Sequence, residues 1–189
     1  YQRPPLSKAY MKGELEADRL WLRPLDFYDE NRVDLVTGVA ATRIDPHARR
    51  VDLENGASLA WGSLILAMGA RPRRLTIAGS ALPGVFELRT LRDADLIRPH
   101  LKPGGRLVVV GAGYIGLEAA AVANQLGMAV TVLEAQEQAL GRVAGPEIGA
   151  FYVSYHRAKG VDVRLGARFA AFEGGARVGA AGLGHGERL

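Results

Sequence analysis

The stretch Val108-Val109-Val110-Gly111-Ala112-Gly113-Tyr114-Ile115-Gly116-Leu117-Glu118 decides the fold class of this chain. The apolar run over residues 107–110 is typical of a parallel strand, and an alanine-rich segment of helical composition, residues 117–126, follows the Gly-x-Gly-x-x-Gly pattern. Gly111 permits a tight turn, and Gly113 allows a pyrophosphate to approach the backbone. Gly116 allows the helix to pack closely on the strand. The pattern therefore predicts a dinucleotide site with the phosphates at the helix N-terminus.

A second apolar run, residues 129–133, ends in Glu134, which lies 18 residues after Gly116. An acidic residue at this spacing accepts a hydrogen bond from the ribose 2′-hydroxyl of NAD, and its charge repels the 2′-phosphate of NADP. We therefore predict that NADH is preferred over NADPH. A solvated carboxylate at a strand end is the plainer interpretation of Glu134, but the complete order of strand, glycine turn, helix and strand favours the nucleotide site.

The composition predicts a globular protein with no membrane span. Of the 189 residues 48% are hydrophobic, and the mean hydropathy is +0.02, which suffices for one large core or two small ones. No apolar stretch is long enough to span a membrane and no leader pattern opens the chain, so we expect a cytoplasmic location. The net charge of +4 is scattered along the sequence, which argues against a nucleic-acid partner.

Cysteine is absent, which excludes disulfides, thiolate metal sites and a redox dithiol within these residues. We predict no metal site, because none of the four histidines has metal-ligand spacing: His47, His100, His156 and His185. The chain begins at Tyr1 rather than Met and stops after Leu189, at the predicted start of a strand. We therefore expect a fragment of a longer protein.

Short β-strands are predicted ahead of the glycine motif, over residues 33–36, 39–44, 50–53 and 58–60, followed by a buried core strand over residues 64–67. The turn signals Asp45-Pro46 and Asn55-Gly56 separate them, which favours antiparallel ribbons.

Helices are expected over residues 6–11, 91–101 and 146–159, and the second of these should end or kink near Pro99. A further strand over residues 162–165 and a weak ribbon from residue 167 complete the prediction.

Four blocks of sequence follow one another along the chain: Arg3-Pro4-Pro5-Leu6-Ser7-Lys8-Ala9-Tyr10, Leu66-Ala67-Met68-Gly69-Ala70-Arg71-Pro72-Arg73, Leu88-Arg89-Thr90-Leu91, and the glycine motif from Gly111 to Glu118. Together they resemble the FAD-dependent ferredoxin reductases of oxygenase systems, within the pyridine nucleotide-disulphide oxidoreductase superfamily. Such reductases are similar to glutathione reductase in fold but lack its redox dithiol, which agrees with the absence of cysteine. The resemblance runs over nearly all 189 residues.

The resemblance implies an α/β fold in which part of an FAD domain, with antiparallel ribbons, accompanies a Rossmann-type NAD domain with a parallel sheet. Residues 1–84 would be the central part of the FAD domain, without its N-terminal glycine motif. Residues 85–104 would connect the domains, and residues 105–189 would form a C-terminally truncated NAD(H)-binding domain.

The same resemblance implies that NADH delivers a hydride to FAD and that the electrons pass singly to a small iron-sulfur ferredoxin. Lys8 would lie near flavin N5 and pair with Glu118 as the catalytic pair that steers the nicotinamide. Arg3 and Arg89 would contact FAD, and Ala41 would lie near its adenine end. The NADH site would consist of the crossover residues together with an arginine at the adenosine end: Gly111, Gly113, Tyr114, Ile115, Gly116, Glu118, Glu134 and Arg142.

Two other functions stay open at this point. The same fold serves NADH oxidases and apoptosis-inducing-factor-like flavoproteins, which use a different electron acceptor. A nucleotide-binding module without turnover is the alternative outside enzyme chemistry. In the plainer interpretation Lys8 and Arg89 are solvated surface groups, and only the motif context gives them a role.

Overall fold

The structure, a computed structural model that describes residues 1–189, contains three separate β-sheets. The chain divides into two compact units, one formed by Tyr1–Trp21 with Arg71–Leu189 and the other by Leu22–Ala70. None of the helices has the length and apolar character that a membrane span requires. The combination of a parallel sheet with antiparallel ribbons confirms the predicted α/β class.

The first unit begins with three short helical turns. A 3-10 helix over Pro4–Ser7 leads directly into helix α1, Ala9–Lys12, and a second 3-10 helix covers Ala17–Leu20. The helix predicted over residues 6–11 is thus confirmed as two consecutive turns rather than one continuous helix. Their apolar side chains form a small core together with an alanine farther along the chain: Leu6, Tyr10, Leu20 and Ala94.

The second unit holds helix α2, Leu25–Glu30, and an antiparallel sheet of three strands in the order β1, β2, β3. The strands are β1, Ala41–Asp45, β2, Arg50–Leu53, and β3, Ser58–Ala60. In the turn between β1 and β2, Oδ1 of Asp45 accepts hydrogen bonds from the backbone N–H groups of His47 and Ala48, as Asp does in such turns. The predicted antiparallel ribbons are confirmed.

Two strand predictions in this unit were wrong. Residues 33–36 and residues 64–67 belong to no strand, and their side chains are exposed, up to 89% for Ile65. A strand is stable only where a neighbouring strand satisfies its backbone N–H and C=O groups. No strand of the chain pairs with either segment, so apolar composition alone did not produce a strand.

Residues 85–104 of the first unit contain helix α3, Leu91–Ile97, which continues into a 3-10 helix over Arg98–His100. Thr90 and Asp93 form a reciprocal capping box at its start. The α-helix stops just before Pro99, as predicted, because proline cannot donate the next backbone hydrogen bond.

A parallel sheet and two helices form the largest part of the first unit. Strands β4, Arg106–Val110, β5, Ala129–Leu133, and β6, Asp162–Arg164, alternate with the helices. Helix α4 spans Tyr114–Gln125 and helix α5 spans Pro146–Ala158. The strand order is β4-β5-β6, with both pairings parallel. The predicted elements are confirmed, although β6 ends one residue early.

The predicted C-terminal ribbon is confirmed as two antiparallel strands, β7, Phe169–Gly174, and β8, Val178–Leu183.

The core of the parallel sheet lies between its strands and the two helices. Val109 of β4 packs against the buried side chains of α4, β5, α5 and β6, which include Leu117, Ala120, Val132, Val153 and Val163. Because successive strand residues point to opposite faces, Val108 and Val110 face away from this core and border an open cleft. A parallel strand is usually buried on both faces, but Val110 is 38% exposed.

Candidate functional site

The glycine turn between β4 and α4 has the geometry that its sequence predicts. Gly111 has a φ of +106°, in the region that favours glycine. A Cβ atom at Gly116 would overlap the carbonyl oxygen of Gly111 and press on the side chain of Val109. No atom lies within 4 Å of where a Cβ of Gly113 would project. The turn therefore leaves open space at the N-terminus of α4 and packs that helix tightly on β4.

Glu134 lies at the end of β5, beside the glycine turn. Its Oε2 atom accepts a hydrogen bond of 2.8 Å from the backbone N–H of Ala112, and Oε1 accepts one of 3.0 Å from the N–H of Gln136. A carboxylate has about four lone-pair positions, so both oxygens can accept further bonds from a ligand. Sequence reasoning did not anticipate the bond to Ala112, which fixes the side chain against the turn.

A wide cleft of about 2050 Å³ runs along the open face of the sheet and past its carboxyl edge. Backbone N–H groups and the positive end of the α4 dipole make this edge favourable for an anion. Seven of the predicted cofactor residues line the cleft: Gly111, Gly113, Tyr114, Ile115, Gly116, Glu134 and Arg142.

The structure brings Lys8 and Glu118 into contact, although 110 positions separate them. Nζ of Lys8 lies 2.7 Å from Oε1 of Glu118 and donates a second hydrogen bond of 3.2 Å to the carbonyl oxygen of Pro4. Glu118 stands on α4, one turn beyond its first residue. The Lys8 side chain is half exposed, and an ammonium has three donors, so one N–H remains for a ligand.

Ser7 completes this cluster and was missed by sequence reasoning. Its Oγ donates a hydrogen bond of 2.5 Å to Oε2 of Glu118. Ser7 is buried, unlike its neighbour Lys8. The feature of the sequence that could have indicated Ser7 is its position directly before Lys8 in the first sequence block.

The remaining predicted site residues lie in different places. Arg3 is exposed at the start of the first 3-10 helix, where its carbonyl oxygen accepts from the N–H of Leu6. Arg89 is half-buried before α3, and its backbone N–H donates to the carboxylate of Asp93. Ala41 is exposed on β1 and belongs to the second unit.

Tyr10 attaches the lysine-bearing segment to α3. Its hydroxyl donates to Oδ1 of Asp95 at 2.5 Å, and the guanidinium carbon of Arg98 lies 4.8 Å from its ring centroid. The hydrogen bond to Asp95, with burial, raises the pKa of Tyr10. This contact was not predicted, and it holds α1 in the orientation from which Lys8 reaches Glu118.

The family model described as pyridine nucleotide-disulphide oxidoreductase matches residues 1–188. The chain belongs to the pyridine nucleotide-disulphide oxidoreductase family. This confirms the superfamily that the four sequence blocks suggested.

Curated members of the family with similar sequences carry ferredoxin reductase names. The chain is 44% identical over 173 residues to the 5,5′-dehydrodivanillate O-demethylase ferredoxin reductase subunit of Sphingobium sp., covering 92% of this chain and 42% of that protein. It is 43% identical over 173 residues to putidaredoxin reductase of Pseudomonas putida, covering 90% and 41%. The resemblance to ferredoxin reductases of oxygenase systems is confirmed. The chain spans about two fifths of the length of these relatives.

Solved structures of ferredoxin reductases have the same fold as this chain. A covalent putidaredoxin reductase–putidaredoxin complex matches with a TM-score of 0.91 at 41% identity, over 99% of this chain and 46% of that one. The ferredoxin reductase for the CYP199A2 system of Rhodopseudomonas palustris matches with a TM-score of 0.93 at 36% identity, over 100% and 47%. A water-forming NADH oxidase of Lactobacillus brevis is 20% identical, which shows a shared fold alone.

Proposed function

We propose that the protein is an NADH-dependent flavoprotein reductase that passes electrons through FAD to a ferredoxin-type iron-sulfur protein. The observation that carries this proposal is the Lys8–Glu118 ion pair, which joins the first sequence block to the helix that starts at the glycine turn. We also propose the domain roles inferred from the sequence, with residues 1–84 contributing to the FAD site, 85–104 connecting, and 105–189 binding NAD(H).

NADH would occupy the cleft at the carboxyl edge of the sheet, with its pyrophosphate over the open space beside Gly113 and the N-terminus of α4. Glu134 would accept from the adenosine ribose, and its charge would disfavour the 2′-phosphate of NADPH. Arg142, exposed along the same cleft, would contact the adenosine portion. Tyr114 and Ile115, which are also exposed at the start of α4, would lie against the dinucleotide.

In the first unit, the residues proposed to contact FAD are Arg3, Lys8 and Arg89. The donor set fits a flavin edge, because Lys8 is half exposed and keeps one N–H beyond its bonds to Glu118 and Pro4. When bound, FAD supplies the conversion of a two-electron hydride donor into single electrons. Lys8 and Glu118 would orient the nicotinamide against it, which is a positioning contribution.

A small ferredoxin is the proposed acceptor, because the related proteins are named ferredoxin reductases and one solved relative is bound to putidaredoxin. The net charge of +4 suits docking to an acidic partner, since complementary charge speeds association between proteins.

The test is anaerobic stopped-flow reduction of FAD by NADH in the full-length protein. Lys8→Met and Glu118→Gln should each slow flavin reduction about 10- to 100-fold, the scale of a misaligned reacting pair, with little change in NADH affinity. The double variant should be scarcely slower than the slower single variant, because groups that act as a unit are not additive.

A matched control is Lys12→Met, which removes the lysine at the end of α1, where it is paired with the nearby Glu14. It should leave the rate unchanged. Independent, multiplying effects of the Lys8 and Glu118 changes would contradict the pairing. Rapid flavin reduction followed by oxygen consumption without ferredoxin reduction would instead favour an NADH oxidase.

A further inference from the structure

The carboxylate of Glu118 is held by two donors of different kinds. Oε1 faces the ammonium of Lys8 at 2.7 Å, and Oε2 accepts from the hydroxyl of Ser7 at 2.5 Å. Each oxygen thus has its own partner, although Ser7 and Lys8 are adjacent in sequence. The two contacts constrain the carboxylate on both sides.

The two donors differ in burial and mobility. Ser7 is 5% exposed and closes the 3-10 helix over Pro4–Ser7, and its hydroxyl stands on a side chain with a single heavy-atom dihedral. Lys8 has a long flexible stem, is half exposed, and divides its ammonium between Glu118 and the carbonyl of Pro4. Ordering a lysine costs far more rotamer entropy than ordering a short side chain. The serine is therefore the firmer of the two attachments.

We infer that Ser7 is a positioning residue that fixes Glu118 on α4, so that Lys8 can exchange contacts with a cofactor without releasing the carboxylate. This inference rests on the proposed function and adds a third residue to the Lys8–Glu118 pair. Without the Ser7 hydroxyl, Oε2 loses its donor and the Glu118 side chain is restrained only by a half-exposed lysine.

The expected consequence concerns the rate of hydride transfer and not the affinity for NADH. In the full-length protein loaded with FAD, Ser7→Ala should slow anaerobic flavin reduction about tenfold, the rate equivalent of roughly one hydrogen bond to a charged group. The dissociation constant for NADH should stay within about twofold, because the Ser7 hydroxyl contacts Glu118 and not the dinucleotide cleft.

A double-variant cycle separates this role from a general loss of packing. In a Glu118→Ala background the same Ser7→Ala change should alter the rate less than about twofold, because its partner is already gone. The matched control is Ser58→Ala, which removes another serine–carboxylate hydrogen bond, to Oδ1 of Asp52 at 2.7 Å in the second unit. It should leave flavin reduction unchanged in both backgrounds.

Thermal unfolding gives a readout that does not depend on turnover. Ser7→Ala should lower the midpoint temperature of unfolding in the parent protein. The same change should lower this temperature much less in the Glu118→Ala background. Equal effects of Ser7→Ala in the two backgrounds, in rate or in midpoint, would overturn the inference. If Lys8→Met slows flavin reduction but Ser7→Ala does not, the inference fails while the proposed function stands. If NADH does not reduce the flavin of the parent, the proposed function fails and the positioning role with it.

Discussion

Replacing Glu134 tests the nucleotide preference, and the structure shows which replacement is informative. Glu134→Ala would remove the acceptor for the N–H of Ala112, which is fully buried, as well as the acceptor for Gln136. Leaving a buried donor unpaired costs about 1–3 kcal/mol, so this change disturbs the glycine turn for both nucleotides. Glu134→Gln retains one carbonyl acceptor and removes the charge, and it is the sharper perturbation.

The quantity to compare is the ratio of the NADPH and NADH dissociation constants, because damage to the shared turn cancels in that ratio. A hydrogen bond to a charged acceptor contributes about 1.5–3 kcal/mol, which corresponds to roughly 10- to 150-fold in affinity. Glu134→Gln should therefore weaken NADH binding and relieve the repulsion of the 2′-phosphate of NADPH. The ratio of the NADPH to the NADH dissociation constant should fall by about tenfold or more. Isothermal titration calorimetry on the full-length protein measures both constants.

The matched control is Glu137→Gln, which removes an exposed negative charge three residues farther along the chain. It should leave the ratio nearly unchanged if the effect is local to Glu134. Equal binding of the two nucleotides by the parent protein, or an unchanged ratio in Glu134→Gln, would refute the assignment of Glu134 to the ribose.

Two further changes test the packing of the first unit. Gly116→Ala should destabilise the protein by about 1–3 kcal/mol in urea unfolding and abolish NADH binding, because the new Cβ meets the carbonyl oxygen of Gly111. The control Gly175→Ala places its Cβ in open space and should change neither the stability nor NADH binding. Burial lowers the pKa of His156, so the free energy of unfolding should fall as the pH drops below the ordinary value of 6.5 and the unfolded chain takes up the proton. His156→Gln should flatten that slope, whereas exposed His47→Gln should leave it; an unchanged slope in His156→Gln would disprove the attribution.

The success of sequence reasoning depended on how local each interaction is. The elements from β4 to β6 were predicted closely, because each has its own signal: an apolar run, a glycine turn or a helix-forming segment. Pro99 likewise ended α3 for a purely local reason. By contrast, residues 64–67 have the apolar composition of a core strand but no partner strand, so the prediction failed. Strand formation depends on a second segment that composition does not reveal.

The candidate site shows the same division. The glycines and Glu134 were predicted from spacing, and the Lys8–Glu118 pair from a family resemblance, since no rule of spacing links positions 110 apart. The hydrogen bond from the Ser7 hydroxyl to the carboxylate of Glu118 was found only in the structure.

The sequence by itself determined the crossover, its glycine turn and the acidic residue at the end of β5, because these depend on backbone conformation and on periodicity within about 30 residues. Only the tertiary structure decided which donors hold each carboxylate. Oε2 of Glu134 accepts from Ala112, and Oε2 of Glu118 accepts from Ser7. Such contacts depend on how separate elements pack, and a buried serine has the same letter in the sequence as an exposed one.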